Sequence, residues 1–135
     1  MMTLPTILLG GGWQCDYLEL EPGLYEFMEP EIVPALFDWS FDKRRVEGWI
    51  AWLSRTFDLP PMEDDLCWNF VLLVKALPTD TEMHLNGRDL GVMRAPFTLD
   101  ITDMVALDDN RIAFRVLPTS EGRFGDIRIR AVRCT

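Results

Sequence analysis

Few residues of this 135-residue chain could carry chemistry. It has one histidine, His84, and three cysteines, Cys15, Cys67 and Cys134. The cysteines lie far apart without a Cys-x-x-Cys spacing, and a single imidazole completes no common zinc pattern with them. They read as small buried or half-buried thiols, and their odd number argues against a secreted disulfide framework. Acids come in pairs: Glu19 and Glu21, Glu29 and Glu31, Asp64 and Asp65, Asp108 and Asp109. Hydrolysis of a glycoside needs two carboxylates set across the sugar, one with a raised pKa, and none of these pairs stands in such a frame. Acids in turns are usually solvated surface. There is no nucleophile elbow, phosphate loop or His-Glu-x-x-His helix, so no catalytic residue is assigned and no enzyme is expected.

The five tryptophans offer another chemistry, ring stacking on a ligand. Trp68 opens an apolar run and reads as core, as does one of Trp49 and Trp52. Trp13 and Trp39 fall in the irregular first half, which makes them the candidates for exposed ligand-binding rings.

These side chains must be positioned by something, and the second half of the chain shows what. Trp68, Phe70, Leu72, Val74 and Ala76 alternate with Asn69, Val71, Leu73 and Lys75, a strand expected to be buried on most of both faces. Thr81, Met83 and Leu85 alternate with Glu82, His84 and Asn86, a strand with one apolar and one polar face. His84 sits on the polar side and reads as a surface or hydrogen-bonded histidine. Asn86-Gly87 then supplies the positive φ angles of a tight hairpin, and Leu90 and Val92 continue the apolar face beyond it. Residues 111–116 and 126–131 alternate with charged outer faces, and Trp49 to Phe57 is a strand stopped by Leu59-Pro60-Pro61. Leu18 to Leu20 and Leu24 to Met28 read as strands around a Pro22-Gly23 turn, and Glu29 to Phe41 as loop. Asp100 or Thr102 would cap a short helical turn. Many short strands with little helical periodicity predict an all-β antiparallel sandwich or barrel.

Charge narrows the partners. The net charge is −9, and it lies wholly in the first half: Met1 to Cys67 holds 13 acids and 4 bases, Trp68 to Thr135 nine of each. Such a chain repels phosphate backbones, so no nucleic acid is expected. No apolar run is long enough to span a bilayer, and no cation precedes the first apolar stretch as a signal peptide requires, so no membrane is expected and a cytoplasmic location is.

The order of motifs is more specific than any one of them. It runs from Arg55, Phe57, Leu59 and Pro60 through the apolar strand to the hairpin Leu85, Asn86, Gly87 and Gly91. Then come Pro96, Phe97, Asp100, Ile101 and Thr102, followed by Asn110, Ile112 and Val116. This resembles the N-terminal sugar-binding, galactose-binding-like jelly-roll domain of family 2 glycoside hydrolases, here as a stand-alone domain. Residues 49–133 carry the resemblance and 1–48 match weakly, within a single domain spanning 1–135. The resemblance implies a jelly-roll β-sandwich without the separate barrel that holds the family's catalytic carboxylates. It implies a non-catalytic carbohydrate-binding module, with Trp13 and Trp39 as ligand-binding candidates. Asn86, Gly87, Pro96, Phe97 and Asp100 are expected to be structural. Modules of this kind often hold structural calcium, but no loop has an ion-binding spacing, so no metal or cofactor is assigned. The alternative is an interaction or oligomerisation scaffold, as a homo-oligomer or on a partner protein, without a sugar ligand.

Overall fold

Apolar and polar residues alternate over most of this chain, and a period of two has one stable outcome: strands whose inner faces close on each other. The computed structural model describes residues 6–19, 31–33, 37–60 and 67–134. Among them are β1 (Thr6–Leu8), β2 (Trp13–Glu19), β3 (Glu31–Val33), β4 (Trp49–Phe57) and β5 (Trp68–Ala76). After these come β6 (Glu82–Leu85), β7 (Arg88–Val92), β8 (Phe97–Asp100), β9 (Asn110–Val116) and β10 (Gly125–Arg133). A four-stranded sheet has the order β1-β10-β5-β8 and a six-stranded sheet the order β3-β2-β4-β9-β6-β7, every pairing antiparallel. The chain passes repeatedly from one sheet to the other, which makes this the expected jelly-roll sandwich.

Leu72, Val74, Ile127 and Ile129 of one sheet meet Leu53, Met83, Leu85, Ile112 and Phe114 of the other in a core with almost no exposure. Phe70, also expected there, is half-buried and packs against its edge. The strand β5 departs from expectation. Leu72 and Val74 are buried, but Val71 and Leu73 point outward and stay half-exposed, because a two-layer sandwich covers only one face of each sheet. Their apolar character is met by arginine stems, with Arg130 opposite Val71 and Arg128 opposite Leu73.

Three further expectations are corrected. Glu31–Val33, read as loop, is the edge strand β3, since a partner strand supplies what its local sequence does not, pairing Trp13 with Val33 and Cys15 with Glu31. The turn after β8 is a 3-10 helix, Thr102–Met104, with no side-chain cap; the Asp100 carboxylate instead accepts the Thr102 N–H and hydroxyl at 2.9 and 2.6 Å. Cys67 and Cys134 are not thiols but a disulfide. Trp68 pairs with Arg133 at one end of the β5–β10 ladder, so the flanking cysteines, 67 positions apart, face each other with Cα atoms 5.2 Å apart. Closing so long a loop removes about 4 kcal/mol of unfolded-state freedom in the chain-entropy account. The proposed strand Leu24 to Met28 and its turn lie outside the described residues. No helix among the described residues is long and apolar enough to cross a membrane.

Candidate functional site

Strand parity places a mixed set of side chains on the outer face of the six-stranded sheet. In β4, Leu53 and Phe57 point into the core, so Trp52, Ser54 and Thr56 point away from it. The register then aligns two rows across neighbouring strands. One row runs Asp16, Trp52, Arg115, Glu82; the next runs Gln14, Ser54, Ala113, His84, Asp89. Large side chains at Trp52 and His84 flank small ones at Ser54 and Ala113, and a hollow is the result. It has a volume of about 360 Å³ and is lined also by Asp16, Gly87 and Arg111.

Each wall is held. The Trp52 and His84 rings lie 5.1 Å apart, tilted by 56°. Arg111 donates from Nη2 to Ser54 Oγ at 2.9 Å, and Arg115 donates from Nη1 to Glu82 Oε2 at 2.6 Å. Gln14 donates to both oxygens of Asp16 at 3.1 Å. An aromatic wall, a small-residue floor and a rim of guanidinium, imidazole and carboxylate can stack on an apolar ring face and hydrogen-bond its substituents. His84 is neither a plain surface residue nor fully hydrogen-bonded, for its side chain is 23% exposed and its Nε2 is buried without a hydrogen-bond partner.

The ligand-binding tryptophans expected from the sequence are elsewhere. Trp13 and Trp39 are 3% and 0% exposed. Trp13 begins β2 on its inward parity, meets the Phe114 ring at 5.5 Å with a tilt of 40° and donates Nε1–H to the Leu9 carbonyl. Trp39 opens a 3-10 turn tied by backbone bonds to Gly122, and its Nε1–H is spent on the Leu117 carbonyl. Neither ring can reach a ligand. Trp52, half-buried, is the tryptophan that lines the hollow on the outer face, opposite in strand parity to Leu53 and Phe57.

The motif residues serve as joinery. Asn86 and Gly87 have φ of 50° and 80°, the left-handed pair of a two-residue hairpin. The Asn86 amide also donates to the Met104 carbonyl and to Asn110 Oδ1, and accepts from the Arg111 N–H. Phe97 packs half-buried on the core beside Pro96, and Asp100 bonds Thr102, whose hydroxyl accepts the Phe70 N–H. Arg55 donates to the Gly11 carbonyl at 2.6 Å and so pins the passage from β1 to β2.

A second titratable group sits at the far edge of the same sheet. Tyr17 donates to Glu31 Oε1 at 2.7 Å, and Arg44 pairs with Glu31 at 2.8 Å while lying 5.2 Å over the Phe37 ring. The Tyr17 hydroxyl, with Arg44 adding to it, holds the Glu31 carboxyl below its usual range. Burial pushes the neighbouring Cys15 thiol up to about 11, which leaves it protonated and a poor nucleophile at neutral pH.

The sequence matches no protein-family model and no curated protein. The fold does match solved structures. An FMN-binding β-glucuronidase from Facaelibacterium prausnitzii L2-6 aligns at 19% identity and TM-score 0.64, over 96% of this chain and 22% of that one. A β-glucuronidase from an uncultured Clostridium sp. aligns at 15% identity and TM-score 0.70, over 96% and 29%. A glycosyl hydrolase family 2 member from Bacteroides cellulosilyticus DSM 14838 aligns at 16% and 0.68, over 94% and 20%. At these identities the likeness is one of fold, and the chain spans less than a third of each of these proteins.

Proposed function

We propose that this chain is a non-catalytic carbohydrate-binding module whose ligand lies in the hollow between Trp52 and His84. The observation that carries the reading is the half-buried Trp52 ring standing beside a floor of Ser54 and Ala113, with Arg111 and Asp16 within reach of a bound ring's hydroxyls. At about 360 Å³ the hollow is of small-ligand size. The fold neighbours are named as glycosidases, and the part of them that this chain resembles is a minor one, so the reading is binding without hydrolysis. The Cys67–Cys134 bond favours an oxidising compartment over the cytoplasm as the setting.

The test is a glycan array followed by calorimetry on the best hit. Trp52→Ala and Arg111→Ala are expected to weaken binding at least about tenfold with the circular dichroism spectrum unchanged. No hit on the array, or equal binding by both variants, would refute the reading.

A protein-interaction module is the second reading, favoured by Phe41, 89% exposed on the 3-10 turn Trp39–Phe41 between β3 and β4. It predicts a concentration-dependent oligomer in sedimentation that Phe41→Ser abolishes.

A further inference from the structure

We infer that Glu82, His84 and Asp89 form a binding site for a divalent transition-metal ion, with zinc as the best fit. The hairpin assembles them. Glu82 and His84 are two apart on β6 and share a face, and the two-residue Asn86-Gly87 turn sets Asp89 of β7 directly opposite His84. One ligand atom from each of the three lies within 4.8 Å of the others. In the linear sequence the three show no metal-ligand spacing; the register of the hairpin creates it.

Carboxylates near a histidine are common on surfaces, so the inference depends on what surrounds the imidazole. His84 Nε2 is buried and has no hydrogen-bond partner, an arrangement that costs free energy unless something is bound there. The Asp89 carboxylate lies 3.8 Å from it, beyond hydrogen-bond reach but close to the spacing of two ligands on one ion. Both carboxylates are already held in place: Arg115 bonds Oε2 of Glu82 at 2.6 Å, and the Gly91 N–H bonds Asp89 Oδ1, the same oxygen that lies 3.8 Å from His84 Nε2, at 2.8 Å. Such outer bonds aim metal-ligating carboxylates.

The donor set selects the ion. One imidazole nitrogen and two carboxylates suit zinc or a neighbouring first-row metal, whereas calcium requires six to eight oxygens and magnesium an octahedron of them. Tetrahedral zinc bonds of about 2.0 Å hold their ligand atoms about 3.3 Å apart, so small rotations of Glu82 and Asp89 complete the site. Three protein ligands leave one tetrahedral position for water or another donor, and of the three only His84 also lines the hollow. The inference stands whether or not the hollow binds a sugar.

His84 is the chain's only histidine, so its imidazole gives one set of nitrogen resonances in untagged protein. Titration with zinc chloride alone is expected to shift the Nε2 resonance saturably, with calorimetry giving a Kd near or below about 100 μM. His84→Ala and Asp89→Asn should each weaken zinc binding at least about tenfold, while Asp103→Asn leaves it unchanged. Asp89 is 59% exposed, so its variant tests the site even if the His84 variant folds poorly. The inference falls if zinc up to about 1 mM leaves the imidazole resonances in place. It falls equally if Asp89→Asn binds zinc as the parent does, since the ion would then be held by other acids.

Discussion

The rings of Trp52 and His84 meet at 5.1 Å although their strands, β4 and β6, are separated by β9. They meet diagonally across β9, where Trp52 pairs with Arg115 and His84 with Ala113, and the small Ala113 leaves the space between the rings open. A larger side chain there would stand between the rings and fill the hollow. Ala113→Leu is therefore expected to abolish ligand binding while changing the free energy of unfolding by less than about 1 kcal/mol, because the position is only half-buried. Calorimetry with a glycan hit, set beside urea unfolding, checks both halves. Retained affinity would mean that the ligand lies elsewhere.

Two asparagines bind three segments into one unit. Asn110 is fully buried; its amide donates to the Ala106 carbonyl, and its Oδ1 accepts from the Ala106 N–H and from Asn86. Asn110→Ala strands those partners and should cost about 2 to 4 kcal/mol in urea unfolding. Asn86 holds two further bonds from a backbone with φ of 50°. Asn86→Gly keeps the backbone geometry and loses only the side-chain bonds, whereas Asn86→Ala adds a left-handed penalty of about 1 kcal/mol. The alanine variant should thus be the less stable of the two. The reverse order would mean that the left-handed backbone at this position costs the alanine variant nothing, since both variants lose the same side-chain bonds.

Local patterns explain why β4, β6 and the Asn86-Gly87 hairpin were legible before any coordinates. Alternation and turn chemistry act over a few residues and mark β6 and the hairpin, whereas β4 alternates poorly and is legible from its aromatic and β-branched content. What was not legible depends on partners distant in sequence. β3 exists because β2 pairs with it, and Cys67 meets Cys134 because β5 and β10 are neighbours. The same limit misplaced the tryptophans. Trp13 and Trp39 lie where the local pattern is weak, and long-range contacts with Phe114 and Gly122 bury them. Trp52 lies on a strand that alternates poorly, and two tryptophans three residues apart, Trp49 and Trp52, leave open from sequence which one faces the core.

The cluster of Cys15, Tyr17 and Glu31 makes stability depend on pH from both sides, with opposite signs. Glu31 has its folded pKa lowered, chiefly by the Tyr17 hydroxyl and further by Arg44, so the unfolded chain binds a proton more readily than the folded one. Its stabilisation is complete above the ordinary value of 4.5 and is lost as pH falls through the lower folded value. Cys15 behaves oppositely. Burial raises it from 9.0 to about 11, so its contribution is complete below 9.0 and is lost as pH rises toward 11, an effect of about 2 to 3 kcal/mol. Tyr17 is raised in the same sense, first by burial and then by its bond to Glu31, and adds to the alkaline loss. Urea midpoints measured from pH 3 to 11 should therefore fall at both ends. Cys15→Ala is expected to flatten the alkaline limb and leave the acid limb intact. Tyr17→Phe is expected to weaken both, because its hydroxyl lowers Glu31 on one side and resists ionisation on the other. A Tyr17→Phe profile with the parent's acid limb would show that Arg44, rather than the phenol, holds Glu31 ionised.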